Sequence, residues 1–403
     1  MGGNSSEKRK VRRKINKGDG PKTGRLDERR GTTDFWIVLF TAMLAIFGLI
    51  MIFSASYYYS ISKTGNPYYY LIRHGIWLFG GVMVFAFGAM FDYHKYKKIA
   101  PWAAVAGLVL LCLLFTPMGV TLNNATRWIG IGPITIMPGE IAKLCAIFAT
   151  AWYLSEKPDR IDSLPRGVVP VVALGGVYGL LIFEQPNLST AITVVGIVGC
   201  MLIVAGLHKK YIAMALGLLG CGVFALTTVL RGTYFYKRFA TFLDPFADPL
   251  GDGYQVVQSL LALGSGGLFG KGLGKSVMKT LYLPEPQNDF ILAIIGEELG
   301  FVGIMLLMLL YCAFIWRGVH IAIHADDQFG VLLASGLVFM VALQVILNVA
   351  VVTSSMPPTG INLPFISYGG NAILLFMFSA GILVNISRHN KPIDPVIKER
   401  AEE

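Results

Sequence analysis

Charge is scarce in this chain. Only 14% of its 403 residues are Asp, Glu, Lys or Arg, where an ordinary soluble domain carries about 25%. That shortage argues against a soluble enzyme of any class. Cysteine is also sparse. Cys112, Cys145, Cys200, Cys221 and Cys312 all lie inside apolar runs with no paired spacing, which excludes a zinc knuckle and speaks against a disulfide framework. The N-terminal segment lacks the apolar stretch of a signal peptide. What the sequence has in excess is apolar surface, with 54% hydrophobic residues and a mean hydropathy of +0.61. At roughly 20 residues per membrane crossing, the length accommodates ten. The composition is that of an all-α polytopic membrane protein.

Apolar runs place the crossings near 34–56, 72–91, 99–117, 138–154, 167–184, 188–207, 210–230, 289–316, 328–354 and 366–387. Orientation follows from Lys and Arg, which collect on the cytoplasmic side. Eleven of the 34 fall between Lys8 and Arg30, in a tail that reads as disordered and held near anionic lipid. If that tail is cytoplasmic, alternate connections and the segment after Arg388 are inside too, and together they hold 24 of the 34 basic residues. Both termini are then inside. The chain divides into a basic tail (1–33), a membrane domain (34–388) and a short cytoplasmic tail (389–403). One outer connection, 231–288, runs to 58 residues, and loops of that length tend to be functional. It carries a weakly apolar helical stretch, Tyr254–Leu263. No histidine lies in an outer connection, so a His-based metal site is not expected.

Charges at membrane depth are costly and mark function by default. Asn124-Ala-Thr-Arg127-Trp128 is followed by Met137-Pro-Gly-Glu140-Ile-Ala-Lys143. Glu140 and Lys143 share a helix face at i,i+3, which suits a helix-end ion pair and a substrate-facing pair equally. Leu283-Pro-Glu285-Pro-Gln-Asn-Asp289 leads into a run containing Glu297 and Glu298. Asp289 stands where span eight begins, so an N-cap role competes with a chemical one. Glu298, roughly 13 Å further along at 1.5 Å per residue, must meet protein, water or a cation.

The glycine-rich run 264–276 ends in Gly274-Lys275-Ser276, but Phe269 occupies the position of the first P-loop glycine and no strand precedes it, so the P-loop reading fails. What remains is a cationic segment. Lys271, Lys275 and Lys279, with Lys237 and Arg238 upstream, could hold a phosphate-bearing lipid or merely touch headgroups. The last cluster runs from Pro357 through Thr359 to Ser367 and Asn371, with three prolines and three glycines. It cannot be continuous helix, and non-helical backbone at membrane depth either lines a cavity or forms a plain outer turn.

Taken in order, these segments resemble the SEDS family of shape, elongation, division and sporulation proteins, typified by FtsW, RodA and SpoVE. The resemblance covers nearly all of 34–388. It rests on Asn124–Trp128 with Pro138–Lys143, Lys237-Arg-Phe with Asp244-Pro, Gly253-Tyr-Gln, Leu283-Pro-Glu with Asp289-Phe-Ile, Gly296-Glu-Glu-Leu-Gly, and Thr359-Gly-Ile with Leu363-Pro-Phe-Ile-Ser-Tyr-Gly-Gly. Residues 272–276 and 279–285 look closer to the FtsW and SpoVE branch. The chain departs from the family pattern at Gly139 and at Asn187, where relatives often carry Asp, and Asn187 is therefore given no catalytic role.

The resemblance implies a glycosyltransferase that polymerises lipid II outside the bacterial cytoplasmic membrane, with a class B penicillin-binding protein (a transpeptidase) as partner. It leaves division, elongation and sporulation open. Displacement of an α-linked lipid pyrophosphate to give a β-linked polymer implies inversion. That needs a carboxylate base facing the nucleophile and positive charge at the leaving group. Asp289 is the candidate base. Arg127, Lys143 and the loop cations are candidates for the pyrophosphate, with Glu140, Glu285, Thr359 and Ser367 as further substrate contacts. No cofactor is fixed by the sequence, and a divalent cation (Mg²⁺ or Mn²⁺) is left open. A lipid II flippase and a noncatalytic septal scaffold fit the same residues, and product formation separates them from a polymerase.

Overall fold

The computed structural model describes residues 33–122, 125–131, 134–215, 217, 220 and 234–389. Most of both tails and most of the 210–230 span lie outside them. The helices are α1 (Phe35–Thr64), α2 (Tyr69–Met90), α3 (Tyr93–Leu113), α4 (Pro138–Glu156), α5 (Val169–Phe183) and α6 (Leu188–Val204). They continue as α7 (Tyr234–Leu243), α8 (Tyr254–Gly266), α9 (Ile291–Ile323), α10 (Gln328–Val352) and α11 (Gly370–His389). Among the described residues, seven helical segments are long and apolar enough to cross a membrane: α1, α2, α3, Leu164–Phe183, α9, α10 and α11. The α4 helix carries Glu140 and Lys143, and α6 has only 17 residues.

The 118–137 connection holds an antiparallel sheet of β1 (Gly119–Leu122), β2 (Ala125–Ile131) and β3 (Ile134–Ile136), in the order β1-β2-β3. The expectation of an all-helical chain did not include it.

Most side chains of α4, α10 and α11 are buried, whereas α2 and α3 present Ile76, Phe79, Met83, Trp102 and Val105 outward. Apolar surface turned outward is what lipid requires and water does not tolerate in such quantity. Glycine permits close contact in the bundle. A Cβ added at Gly381 would stand 2.3 Å from the Phe85 carbonyl oxygen, so α2 and α11 could not pack as they do around a larger residue.

At one end of the bundle, aspartates tie helices together. Asp34 caps α1 through the Ile37 amide and pairs with Arg317 of α9 at 2.6 Å. Asp327 caps α10 and accepts a 2.7 Å hydrogen bond from the Tyr93 hydroxyl.

The α9 helix is broken at Gly300, whose φ of 69° lies in the left-handed region. Glycine alone adopts it freely. The break detaches backbone groups that lipid cannot satisfy, and the loop after α8 satisfies them. The Lys271 and Gly272 amides donate to the carbonyls of Glu297 and Glu298, and the Phe301 and Val302 amides donate to those of Gly267 and Leu268. The glycine-rich loop is thus built into the helix.

Candidate active site

At the end of the bundle opposite the aspartate clasps is a cavity of about 1300 Å³. Its wall is assembled from segments distant in sequence. Arg73 and Trp77 come from α2, Arg127 and Trp128 from β2, Glu140 from α4, and Arg238 from α7. Asp252 comes from just before α8 and Gln255 from its first turn, Glu285 and Asp289 from the approach to α9, Thr359, Gly360 and Tyr368 from the segment before α11, and Asn371 from the first turn of α11. The β-sheet brings Arg127 here, and its guanidinium donates to the carbonyls of Gln185 and Pro186. The Asn371 amide holds the sheet's far strand through the Thr135 carbonyl at 3.1 Å. The guanidinium of Arg238 donates to the Pro358 carbonyl.

Asp289 does not cap α9. The N-cap position is Phe290, with no side-chain cap bond, so the structural role that competed with chemistry falls away. The backbone of Asp289 is fixed from behind. Asn348, fully buried in α10, donates through Nδ2 to the carbonyls of Asp289 at 2.8 Å and Ile361 at 2.7 Å. The Ser367 hydroxyl donates to the Asn288 carbonyl at 2.8 Å, and the Tyr368 amide donates to that of Gln287 at 2.9 Å. A Cβ added at Gly360 would come within 2.6 Å of an Asp289 carboxylate oxygen, so glycine lets the proline-rich loop close over this group.

Recessed in the cavity wall, Asp289 has a raised pKa. Burial and the neighbouring Glu285 charge push the carboxyl up to about 6, against the opposing pull of Arg127 and Arg238. Such a group is mostly ionised at neutral pH and is a stronger base than an ordinary carboxylate.

Of the residues singled out from sequence, Arg127, Glu140, Arg238, Glu285, Asp289 and Thr359 line this one cavity. Thr359 is buried, and its hydroxyl has no hydrogen-bond partner among the described residues. Ser367 lies behind the wall as a positioning group. Lys143 is 1% exposed and pairs with Glu140 at 2.7 Å while donating to Gln344 at 3.1 Å. Lys271 and Lys279 pair with Glu297 and Glu298 at 2.7 Å each and are absent from the cavity wall. Buried carboxylates need cations, and these lysines supply them. Ser54 joins the second pair by donating to Glu298, while the amides of Val277 and Met278 reach Glu297. Lys275 is exposed and also off the wall. The side chain of Lys237 lies outside the described residues. Asn187 caps α6 through the Thr190 amide at 3.3 Å.

Sequence reasoning missed Arg73, Tyr368, Gly360 and Asn348. Arg73 was visible as one of the ten basic residues outside the inner segments, and Asn348 as a polar residue deep in an apolar span.

Comparison with known proteins gives a consistent set. The family model of FtsW, RodA and SpoVE, described as cell cycle protein, matches residues 35–392. Stage V sporulation protein E of Bacillus subtilis is 41% identical over 366 residues, which span 90% of this chain and 99% of that protein. A probable peptidoglycan glycosyltransferase FtsW of Geobacter sp. strain M18 is 35% identical, over 88% of this chain and 96% of its own. Among solved structures, a peptidoglycan synthase complex that coordinates polymerization and crosslinking superposes with a TM-score of 0.72. It has 26% identity, over 89% of this chain and 98% of that one. The rod shape determining protein RodA of Thermus thermophilus superposes at 0.65 with 25% identity, over 90% and 99%.

Proposed function

The chain belongs to the cell cycle protein family of FtsW, RodA and SpoVE and is a peptidoglycan glycosyltransferase; from that premise we propose that it polymerises lipid II at the outer face of the cytoplasmic membrane, with Asp289 as general base. The observation that carries this reading is the recessed Asp289 carboxylate, raised to about 6, in a cavity walled by Arg73, Arg127 and Arg238.

In the proposed step the acceptor sugar hydroxyl attacks the anomeric carbon of the donor. Its proton passes to the Asp289 carboxylate as the carbon–oxygen bond to the pyrophosphate breaks, and the electron pair leaves with the pyrophosphate. One displacement inverts the anomeric centre. Arg127 and Arg238 act electrostatically on Asp289 and sit where negative charge develops, which is the place for preorganised cations. Asn348, Ser367 and Gly360 hold the base against the loop that closes over it. Among the described residues no cluster of three metal-ligating side chains lies in this cavity. A divalent cation would find oxygen donors in Asp289 and Glu285 and complete its shell with the substrate's phosphates.

The coordination of polymerization with crosslinking in the similar complex supports a class B penicillin-binding protein as partner. The test is product. Purified protein given lipid II should yield long glycan. Redistribution of lipid II across a bilayer with no polymer would favour a flippase, and neither outcome would favour a scaffold.

A further inference from the structure

Two tyrosine triplets, Tyr57-Tyr58-Tyr59 and Tyr68-Tyr69-Tyr70, meet where α1 hands over to α2. Tyr59 of the first and Tyr69 and Tyr70 of the second join Tyr368 in one ring array. Tyr70 lies 5.8 Å from Tyr59, 5.2 Å edge-on from Tyr69 and 5.0 Å edge-on from Tyr368. The Tyr69 hydroxyl accepts a 2.7 Å hydrogen bond from Arg73, whose guanidinium stands 5.5 Å from that ring. Tyr368 and Arg73 both line the cavity. The array is therefore continuous with the cavity wall, and Tyr59, Tyr69 and Tyr70 are each partly exposed beyond it.

Tyrosines of a membrane interface belt anchor a helix at headgroup level and need no connection to a catalytic cavity. This array has one on two sides. Tyrosine combines an apolar ring face with a polar hydroxyl, which suits a ligand that carries C–H faces and hydroxyls together. An acyl chain would leave the hydroxyls unmatched. A cavity of about 1300 Å³ holds the reacting ends of a polymer, and a strand of any length has to run out of it.

We propose that this tyrosine ledge is a saccharide-binding subsite that holds the glycan strand as it leaves the cavity. The inference rests on the polymerase reading for its purpose and on the ring array for its chemistry, so two measurements separate them. The first is binding of a lipid-free peptidoglycan tetrasaccharide to the purified full-length protein, followed by intrinsic fluorescence. The second is the strand-length distribution made from lipid II. Both are applied to the parent, to Tyr59→Ala/Tyr70→Ala, to Tyr59→Phe/Tyr70→Phe, and to Trp102→Ala, an exposed aromatic on α3 away from the ledge.

Loss of an aromatic platform should weaken tetrasaccharide binding about fivefold and shorten strands by a similar factor. The phenylalanine pair, which keeps the rings, should retain most of both, and Trp102→Ala should match the parent. Parental tetrasaccharide affinity in the alanine pair overturns the subsite, whatever the polymer looks like. Weakened binding in the alanine pair with no polymer from the parent keeps the subsite and overturns the polymerase reading instead.

Discussion

Asp289 joins two requirements that usually conflict. A base must be unprotonated at working pH, yet basic enough to take a proton from an alcohol, and a value near 6 satisfies both. The sign of the pH dependence follows. Below about 6 the carboxyl is protonated and cannot accept, so the polymerisation rate should fall about tenfold per pH unit on the acid side and level off above. A profile flat down to pH 4.5 would remove Asp289 from the proton transfer. Asp289→Asn should cost about 10²–10⁴ in rate, measured as glycan formed from lipid II. Because the raised pKa means the ionised form is disfavoured in the folded protein, the neutral amide removes a cost, and the variant should unfold at a temperature no lower than the parent. Near-normal polymer from it would leave the base unidentified. The candidate base and two of the arginines near it were legible in the sequence, because a carboxylate or guanidinium at an apolar boundary is conspicuous. The pairing of the lysines was not legible, for a physical reason. Sequence shows that a cation is present, and only packing shows which carboxylate it already serves. Lys143, Lys271 and Lys279 each had one.

Elements differ in how plainly they announce themselves. The helices were visible as apolar runs, although α9 continues to Ile323 and α1 to Thr64, several residues past the expected ends. Tyrosine-rich and His-containing turns lower the hydropathy without breaking the helix. The sheet was obscured by its brevity, yet its signals exist: β-branched residues around Asn123-Asn124 and Gly132-Pro133, the dipeptides of turns. The union of the glycine-rich loop with α9 left no periodic trace at all. Its strength can be measured through its two ion pairs. Lys279 and Glu298 are both almost fully buried, whereas the side chain of Lys271 is 33% exposed. Lys279→Met strands a buried carboxylate and should cost about 3–5 kcal/mol, and Lys271→Met should cost clearly less. Adding Glu298→Gln to Lys279→Met should restore part of the loss, with a coupling above about 1 kcal/mol in thermal unfolding. Equal effects of the two lysine variants would mean that the pairs do not hold the loop as described.

For the molecule as a whole, the proposed orientation, with 24 of the 34 basic residues inside, turns the cavity outward. Leu250, 87% exposed in the connection between α7 and α8, and Arg160, between α4 and α5, lie on opposite sides in that arrangement. Leu250→Cys should react with an impermeant thiol reagent in intact cells and Arg160→Cys should not. Reversed labelling would turn the catalytic assignment inside out. The broken helix adds a consequence for how the chain is made. The residues that complete the break at Gly300, from Gly267 to Gly272, precede it by only about thirty positions, and they are synthesised first. When the ribosome delivers Phe301 and Val302, the carbonyls their amides require are already present on the nascent chain, before any of α10 or α11 exists. Domains assemble in that N- to C-terminal order during synthesis. A polar gap that lipid could not tolerate is therefore repaired from within one short stretch of chain, without waiting for the core helices that later surround it.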